Sequence, residues 1–247
     1  YKSIILRNLY GVDIMAEAVE IAKLRLFLKM VAVVEADRRA PNLGLDPLPD
    51  IDFNIRCGNT LVGYASGKEV LDDSIYSDFF TGNEFEKKME VEMTKVAKAY
   101  EHFRHIQLSQ HEDMAEFKEA KEELRTRLSA FTEQLNRQIY STHLKGEEFK
   151  QEEYEAYLAS HQPFHWFAEY YQIIHGNGGF DVIIGNPPYV VYTDSSSNYL
   201  IGDSFKTRKC ANLYAFCIER CTYLISIQGR FGMIVPNSSI SANKMSP

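Results

Sequence analysis

Four consecutive residues, Asn186-Pro187-Pro188-Tyr189, bring together an amide, two rigid rings and an aromatic face. Each proline fixes its own φ and pushes the residue before it, Asn186 and then Pro187, into an extended shape. The Asn186 side-chain oxygen and the Pro187 carbonyl can each accept one N–H from an exocyclic amino group. Tyr189 can stack on the face of the ring that carries it, an interaction worth about 1–3 kcal/mol per base. Such a set suits a flat base bearing an amino group. A proline-braced turn that merely ends a strand uses the same residues.

The stretch before these four tells what must position them. Phe180-Asp181-Val182-Ile183-Ile184 is almost all apolar and β-prone, the pattern of a strand buried on both faces of a parallel sheet. Gly185 breaks that strand and the prolines forbid its continuation. The amide therefore stands at the carboxyl end of a strand, where open α/β sheets bind their ligands.

A second acid-tipped strand opens the chain. Leu9-Tyr10-Gly11-Val12-Asp13-Ile14 reads as a short strand, followed by a helix over about 16–33 with Ala18, Val19, Ala22, Leu26, Phe27 and Met30 along one face. An acid at such a tip accepts hydrogen bonds from ribose hydroxyls in nucleotide-binding α/β folds. The helix dipole alone also favours an acid there. Residues 36–52 are loop, with Pro41, Pro47 and Pro49. A strand over Phe53-Asn54-Ile55-Arg56-Cys57 then turns at Gly58 and leads to Asn59. That Asn can contact a ligand or bond its own backbone.

From about residue 79 to 158 the character changes. Charges of both signs alternate with Met93, Val96, Tyr100, Phe103, Leu108, Phe117, Leu124, Leu128, Phe131 and Leu135, and no proline occurs until Pro163. The spacing predicts two or more long amphipathic helices, an antiparallel pair, with solvated charged faces. Residues 163–174 restart the fold with Phe164-His165-Trp166, best read as packing of a returning helix. After the proline motif, 190–203 is a polar loop suited to closing over a base. A helix over about 212–226 and a strand with its exit loop over 229–238 complete the pattern.

The 247 residues carry a net charge of -7, and residues 84–160 hold 17 acidic side chains against 12 basic. The acidity therefore sits in the helical middle, and the remainder is near neutral. A broad basic DNA-binding face is disfavoured. No apolar run approaches a membrane span and no signal-peptide pattern opens the chain. Cysteines 57, 210, 217 and 221 form no C-x-x-C pair, so buried or free thiols are favoured over zinc.

Residues 178–190 resemble the motif of S-adenosylmethionine-dependent N6-adenine DNA methyltransferases, in the version found in large restriction–modification enzymes that fuse methylase and endonuclease (type IIG-like). The resemblance spans residues 8–64 and 163–238. It implies an α/β fold with a Rossmann-like methyltransferase sheet. That sheet is split into a first part (1–78) and a second, catalytic part (161–247) by a helical insertion (79–160). Asn186, Pro187, Pro188 and Tyr189 would be catalytic, with Tyr192 a further candidate on the loop side of the base. Asp13, Ile14 and Asn59 would bind S-adenosylmethionine.

The implied substrate is double-stranded DNA with its target adenine flipped out, in the bacterial cytoplasm. Endonuclease and target-recognition domains of the same polypeptide are the implied partners. Two features depart from the family. Asn212-Leu213-Tyr214 stands where the family has Asp-Leu-Tyr, and no glycine-rich cofactor loop occurs. The chain opens on Tyr1, so the expectation is a fragment with an incomplete sheet that neither binds S-adenosylmethionine nor methylates DNA alone. Protein glutamine methyltransferases share Asn-Pro-Pro-Tyr, and a non-catalytic interaction piece with relic motifs is the reading from another class.

Overall fold

The structure, a computed structural model, describes residues 2–39, 41–44, 47–74, 82–109, 114–144, 148–195, 197–202 and 204–237. The chain divides into two compact units, one comprising residues up to Gly58 with Lys98–Thr126, the other Asn59–Ala97 with the chain from Arg127 onward. Each contains one parallel two-stranded sheet. No helix of the described residues is long and apolar enough to cross a membrane.

In the first unit, helix α1 (Lys2–Asn8) leads to strand β1 (Gly11–Asp13), helix α2 (Ala16–Val31) and strand β2 (Ile55–Cys57). β1 and β2 are parallel, with Gly11 opposite Ile55 and Asp13 opposite Cys57. Parallel strands need a long crossover, and α2 supplies it. Its expected apolar face meets Ile5, Leu6, Ile51 and Ile55 through Val19, Met30, Ala22, Leu26 and Phe27. The Asn54 amide donates to the carbonyls of Leu6 at 3.2 Å and Leu9 at 3.0 Å, meeting acceptors that the end of α1 leaves open. The loop before β2 is tied down by charge: Lys121 pairs with Asp50 and Asp52, and Lys23 with Asp52 at 2.8 Å. Burial alone would raise the Asp52 carboxyl, but hydrogen bonds from Lys121 and Lys23 outweigh it and hold the group at about 2.

Residues 79–160 fold as helices α4 (Gly82–Leu108), α5 (Met114–Leu144) and α6 (Gln151–His161), within the described residues. Helix α3 (Gly67–Ser74) precedes them. α4 and α5 each contribute to both units. The heptad-like stripe Leu124, Leu128, Phe131 and Leu135 of α5 is buried, as are Met93, Val96 and Phe103 of α4. Where the two helices follow one another in the first unit, Phe103 lies 5.4 Å from Phe117 between ring centroids.

In the second unit, residues 59–64 lie beside 162–167. The Asn59 N–H donates to Gln162 O, and the Phe164 N–H to Val62 O, both at 2.8 Å. The approach is close enough that a Cβ on Gly63, whose φ is +107°, would lie 2.5 Å from the Phe164 carbonyl oxygen. Only glycine tolerates both conditions. Helix α7 (Trp166–Glu169) and a π-turn over Gln172–Gly176 follow, then strand β3 (Phe180–Gly185), helix α8 (Leu213–Leu224) and strand β4 (Ile225–Met233). β3 and β4 are parallel, with Ile183 opposite Phe231 and Gly185 opposite Met233. Trp166 and Tyr170 each meet Phe180 edge-on at 5.9 Å, which seats the root of β3.

Three sequence expectations change. β3 is not buried on both faces: Val182 is 64% and Ile184 81% exposed. An apolar run reads as buried because parallel sheets usually carry cover on both faces, and among the described residues the face of β3 with Val182 and Ile184 has no such cover. Among the described residues the strands form two parallel pairs, one in each unit. The last strand begins at Ile225, directly after α8, because Ile225-Ser226-Ile227 already alternates; a register shift follows opposite 180–182. The helix expected up to residue 174 is instead one short α-helical turn and a π-turn.

Candidate functional site

The proline motif leaves β3 at Gly185 and is held from two sides. On one side, the Ile234 N–H donates to the Gly185 carbonyl at 3.1 Å, carrying the β3–β4 ladder one step past the strand ends. On the other, Val191 bridges Asn212, and the Leu213 N–H donates to the Val190 carbonyl at 2.9 Å. A loop with two prolines has few N–H groups to offer, so its neighbours supply the donors.

Within this frame Asn186 and Tyr189 come together. The Tyr189 hydroxyl donates to the Ile234 carbonyl at 2.8 Å and lies 3.3 Å from Asn186 Oδ1. The Tyr189 ring meets Tyr214 edge-on, with centroids 6.4 Å apart and planes at 82°. Tyr214 is buried, whereas Tyr189 is 48% exposed. One aromatic surface is thus braced while remaining open to a planar ligand. Asn186 is exposed, and Pro187 is buried. Nothing in the residue types marks Ile234 or Tyr214 as partners of Tyr189, since a backbone carbonyl and a packing ring carry no motif.

Asn212 caps α8, its side-chain oxygen accepting from the Tyr214 N–H at 3.4 Å. Asn and Asp cap helices about equally well. The exchange of the family's Asp for Asn here therefore keeps this task. Tyr192 differs from expectation. It is 4% exposed, its hydroxyl accepts from the Ile201 N–H at 2.8 Å, and it packs with Leu61, Phe205, Leu213 and Phe216. Its phenol serves the loop's own fold and cannot stack on a base. The same apolar anchors tether the 190–212 loop, with Arg208 gripping Asp194 at 2.7–2.9 Å.

His165 is fully buried. Its Nδ1 accepts from the Tyr64 N–H at 3.2 Å, so Nε2 carries the hydrogen and donates to Asn136 Oδ1 at 2.9 Å. Burial, and then the nearby Arg220 guanidinium, hold its pKa down at about 3. This histidine is a structural brace. Arg220 is buried too; it reaches both Glu69 oxygens at 3.1 Å and lies 4.9 Å over the Phe205 ring. A cavity of about 630 Å³ lies beside this pair and Arg208, and none of its lining residues comes from the proline motif.

In the first unit, Asp13 and Ile14 are exposed at the tip of β1. One Asp13 oxygen accepts from the Met15 N–H at 2.8 Å, which fixes the carboxylate at the start of α2. Burial first, then Asp13 and Glu17, push the Cys57 thiol up against the opposing pull of Arg56. Asn59 follows β2 but belongs to the second unit. It is buried, and its side-chain oxygen accepts from the Leu61 N–H at 3.1 Å, the turn-forming bond open to any Asn in that position. Among the described residues, no group of three or more His, Cys, Asp or Glu side chains could hold a metal ion.

The profile of the Eco57I restriction-modification methylase family matches residues 7–246. A protein of Methanocaldococcus jannaschii named as a type II restriction enzyme and methyltransferase is 30% identical over 275 aligned residues. The alignment covers 95% of this chain and 22% of that protein, so the chain spans about a fifth of its curated relative. No solved structure matches. With the match running through both acid- and amide-tipped strand ends, the chain belongs to the Eco57I restriction-modification methylase family.

Proposed function

We propose that this chain carries the methyl-transfer chemistry of a DNA adenine-N6 methyltransferase that uses S-adenosylmethionine within a restriction–modification enzyme. The observation that carries the reading is the Asn186–Tyr189 loop: an exposed amide and a half-exposed, braced ring side by side at the carboxyl end of a parallel strand.

The exocyclic nitrogen of adenine is a poor nucleophile because its lone pair is delocalised into the ring. Acceptors at Asn186 Oδ1 and the Pro187 carbonyl take its two hydrogens, favouring a pyramidal nitrogen as positive charge develops. Tyr189 holds the base by stacking, after the base has left the duplex. Once methylated, the nitrogen is acidic and yields its proton to water without a strong base. Pro188 keeps the loop rigid, so positioning supplies much of the acceleration.

The donor set at the other strand tip fits the cofactor. Asp13, held by the Met15 N–H, offers carboxylate oxygen to a ribose diol, and Ile14, 41% exposed, offers an apolar edge to a base. Asn59 would contact the cofactor's adenine through its amide. Bound there, S-adenosylmethionine supplies an electrophilic methyl group. Flanking endonuclease and target-recognition domains, and the cytoplasm as the place of action, belong to the same proposal.

The test is transfer of labelled methyl to duplex DNA by the intact enzyme that contains this chain, followed by digestion to nucleosides. N6-methyladenine is expected; N4-methylcytosine, or label found on protein glutamine, would overturn the reading.

A further inference from the structure

The Tyr189 hydroxyl has one hydrogen and two oxygen neighbours, the Ile234 carbonyl at 2.8 Å and the Asn186 side chain at 3.3 Å. One hydrogen cannot serve both at full strength, and the shorter contact takes it. The phenol oxygen then keeps lone pairs directed at Asn186 and has nothing left to donate. In the structure Asn186 Oδ1 stands at this contact, acceptor facing acceptor once the hydrogen is on Ile234. A half-turn of the amide about its last bond brings its NH₂ end, nearly the same size, to donate to the phenol oxygen instead. That leaves Oδ1 turned away from Tyr189, outward from the exposed side of the loop.

We infer that Tyr189 is a positioning residue for Asn186: through its Ile234-bound hydroxyl it orients the amide so that Oδ1, not Nδ2, faces the substrate amino group. This rests on the function proposed above and adds to it a second task for Tyr189, separate from ring stacking. Tyr214, packed edge-on against the same ring, keeps the hydroxyl aimed. Without the hydroxyl, the amide turns freely. Its NH₂ end then spends part of the time facing the substrate's own N–H groups, where it repels.

Tyr189→Phe keeps the stacking ring and removes only the hydroxyl. It should lower kcat about tenfold, the worth of one hydrogen bond, with KM for DNA within about twofold. Base flipping, followed by 2-aminopurine fluorescence at the target position, should be unchanged. In an Asn186→Asp background both side-chain oxygens accept, so orientation no longer matters and Tyr189→Phe should change kcat less than twofold. An equal fall in both backgrounds, or none in either, overturns the inference while leaving the methyltransferase reading intact. If N186D is too slow to measure, the ¹⁵N side-chain resonances of Asn186 decide without any turnover. Exchange of its amide hydrogens with water should quicken in Y189F, and unaltered exchange overturns the inference. Absence of methyl transfer by the wild-type intact enzyme that contains this chain would instead remove the reading beneath it, and the inference with it.

Discussion

The two units repeat one supersecondary theme with opposite cover. In each, a parallel strand pair is joined through a helix, and a polar residue stands at the end of the first strand or just past it: Asp13 in one, Asn186 in the other. In the first unit the crossover helix α2 is half bare. Ile21, Leu24, Leu28 and Val31 are each more than half exposed. In the second, nine of the twelve residues of α8 are buried, and the strands carry the exposed apolar side chains, Ile184 and Ile227 among them. The same local grammar therefore yields a lightly held acid in one place and a clamped amide in the other. The difference lies in what comes to pack. α8 receives Glu69, Phe205 and the 59–64 segment, anchored through Arg220; α2 receives one layer on one side.

Breaking the clamp is the largest effect this comparison predicts. Arg220→Ala leaves the Glu69 carboxylate, 27% exposed, without its guanidinium and opens the core around α8. A loss of about 3–5 kcal/mol is expected, as for other broken buried pairs. Urea unfolding followed by circular dichroism measures it. Lys121→Ala, at the more exposed ion pairs of the first unit, should cost far less. Equal losses would erase the contrast between the units.

Next comes the amide itself. Asn186→Ala should slow methyl transfer about 10²–10³-fold, the usual cost of one transition-state hydrogen-bonding group. S-adenosylmethionine affinity, measured by calorimetry on the longest polypeptide that binds it, should stay nearly unchanged. A parallel fall in affinity would mean that the loop is only scaffolding.

Acid should then separate the units. His165 stays neutral in the fold, with its pKa held at about 3, whereas an unfolded histidine takes a proton near 6.5. Below about pH 6.5 the unfolded chain binds a proton that the folded chain refuses. Stability is thus complete above that pH and falls as pH drops toward 3, by up to about 1.4 kcal/mol per pH unit. Asp52 works in the other range. Its depressed carboxyl stabilises the first unit above about pH 4, and that contribution fades only as pH falls toward 2. Hydrogen exchange from pH 7 to 5 should therefore show the second unit loosening first. His165→Gln should flatten that slope.

The smallest effect is at Asp13. Asp13→Ala removes the bond to the Met15 N–H and should cost about 1 kcal/mol. Asp13→Asn keeps that acceptor and should cost less. Both should weaken S-adenosylmethionine binding if the carboxylate meets the ribose. A change in stability alone, with binding intact, would leave Asp13 a turn residue.

Much of this was legible in the residues, because it depends on local covalent and conformational rules. Two prolines and a glycine end β3 wherever it lies, so Asn186 had to stand past a strand end. The 3.6-residue spacing of Leu124, Leu128, Phe131 and Leu135 makes a helix with one buried stripe in any surroundings. Asn212 is as good a cap as the acid it replaces. Tertiary structure alone decided burial and pairing, because these depend on which distant segments arrive. Val182 and Ile184 carry the composition of a core strand, yet they are exposed because, among the described residues, no layer packs over their face. Tyr192 has the same chemistry as Tyr189 three residues earlier. Only its contact with Ile201 and Phe216 makes it core, and only the Ile234 carbonyl, 45 residues from Tyr189, holds the other phenol beside the Asn186 amide.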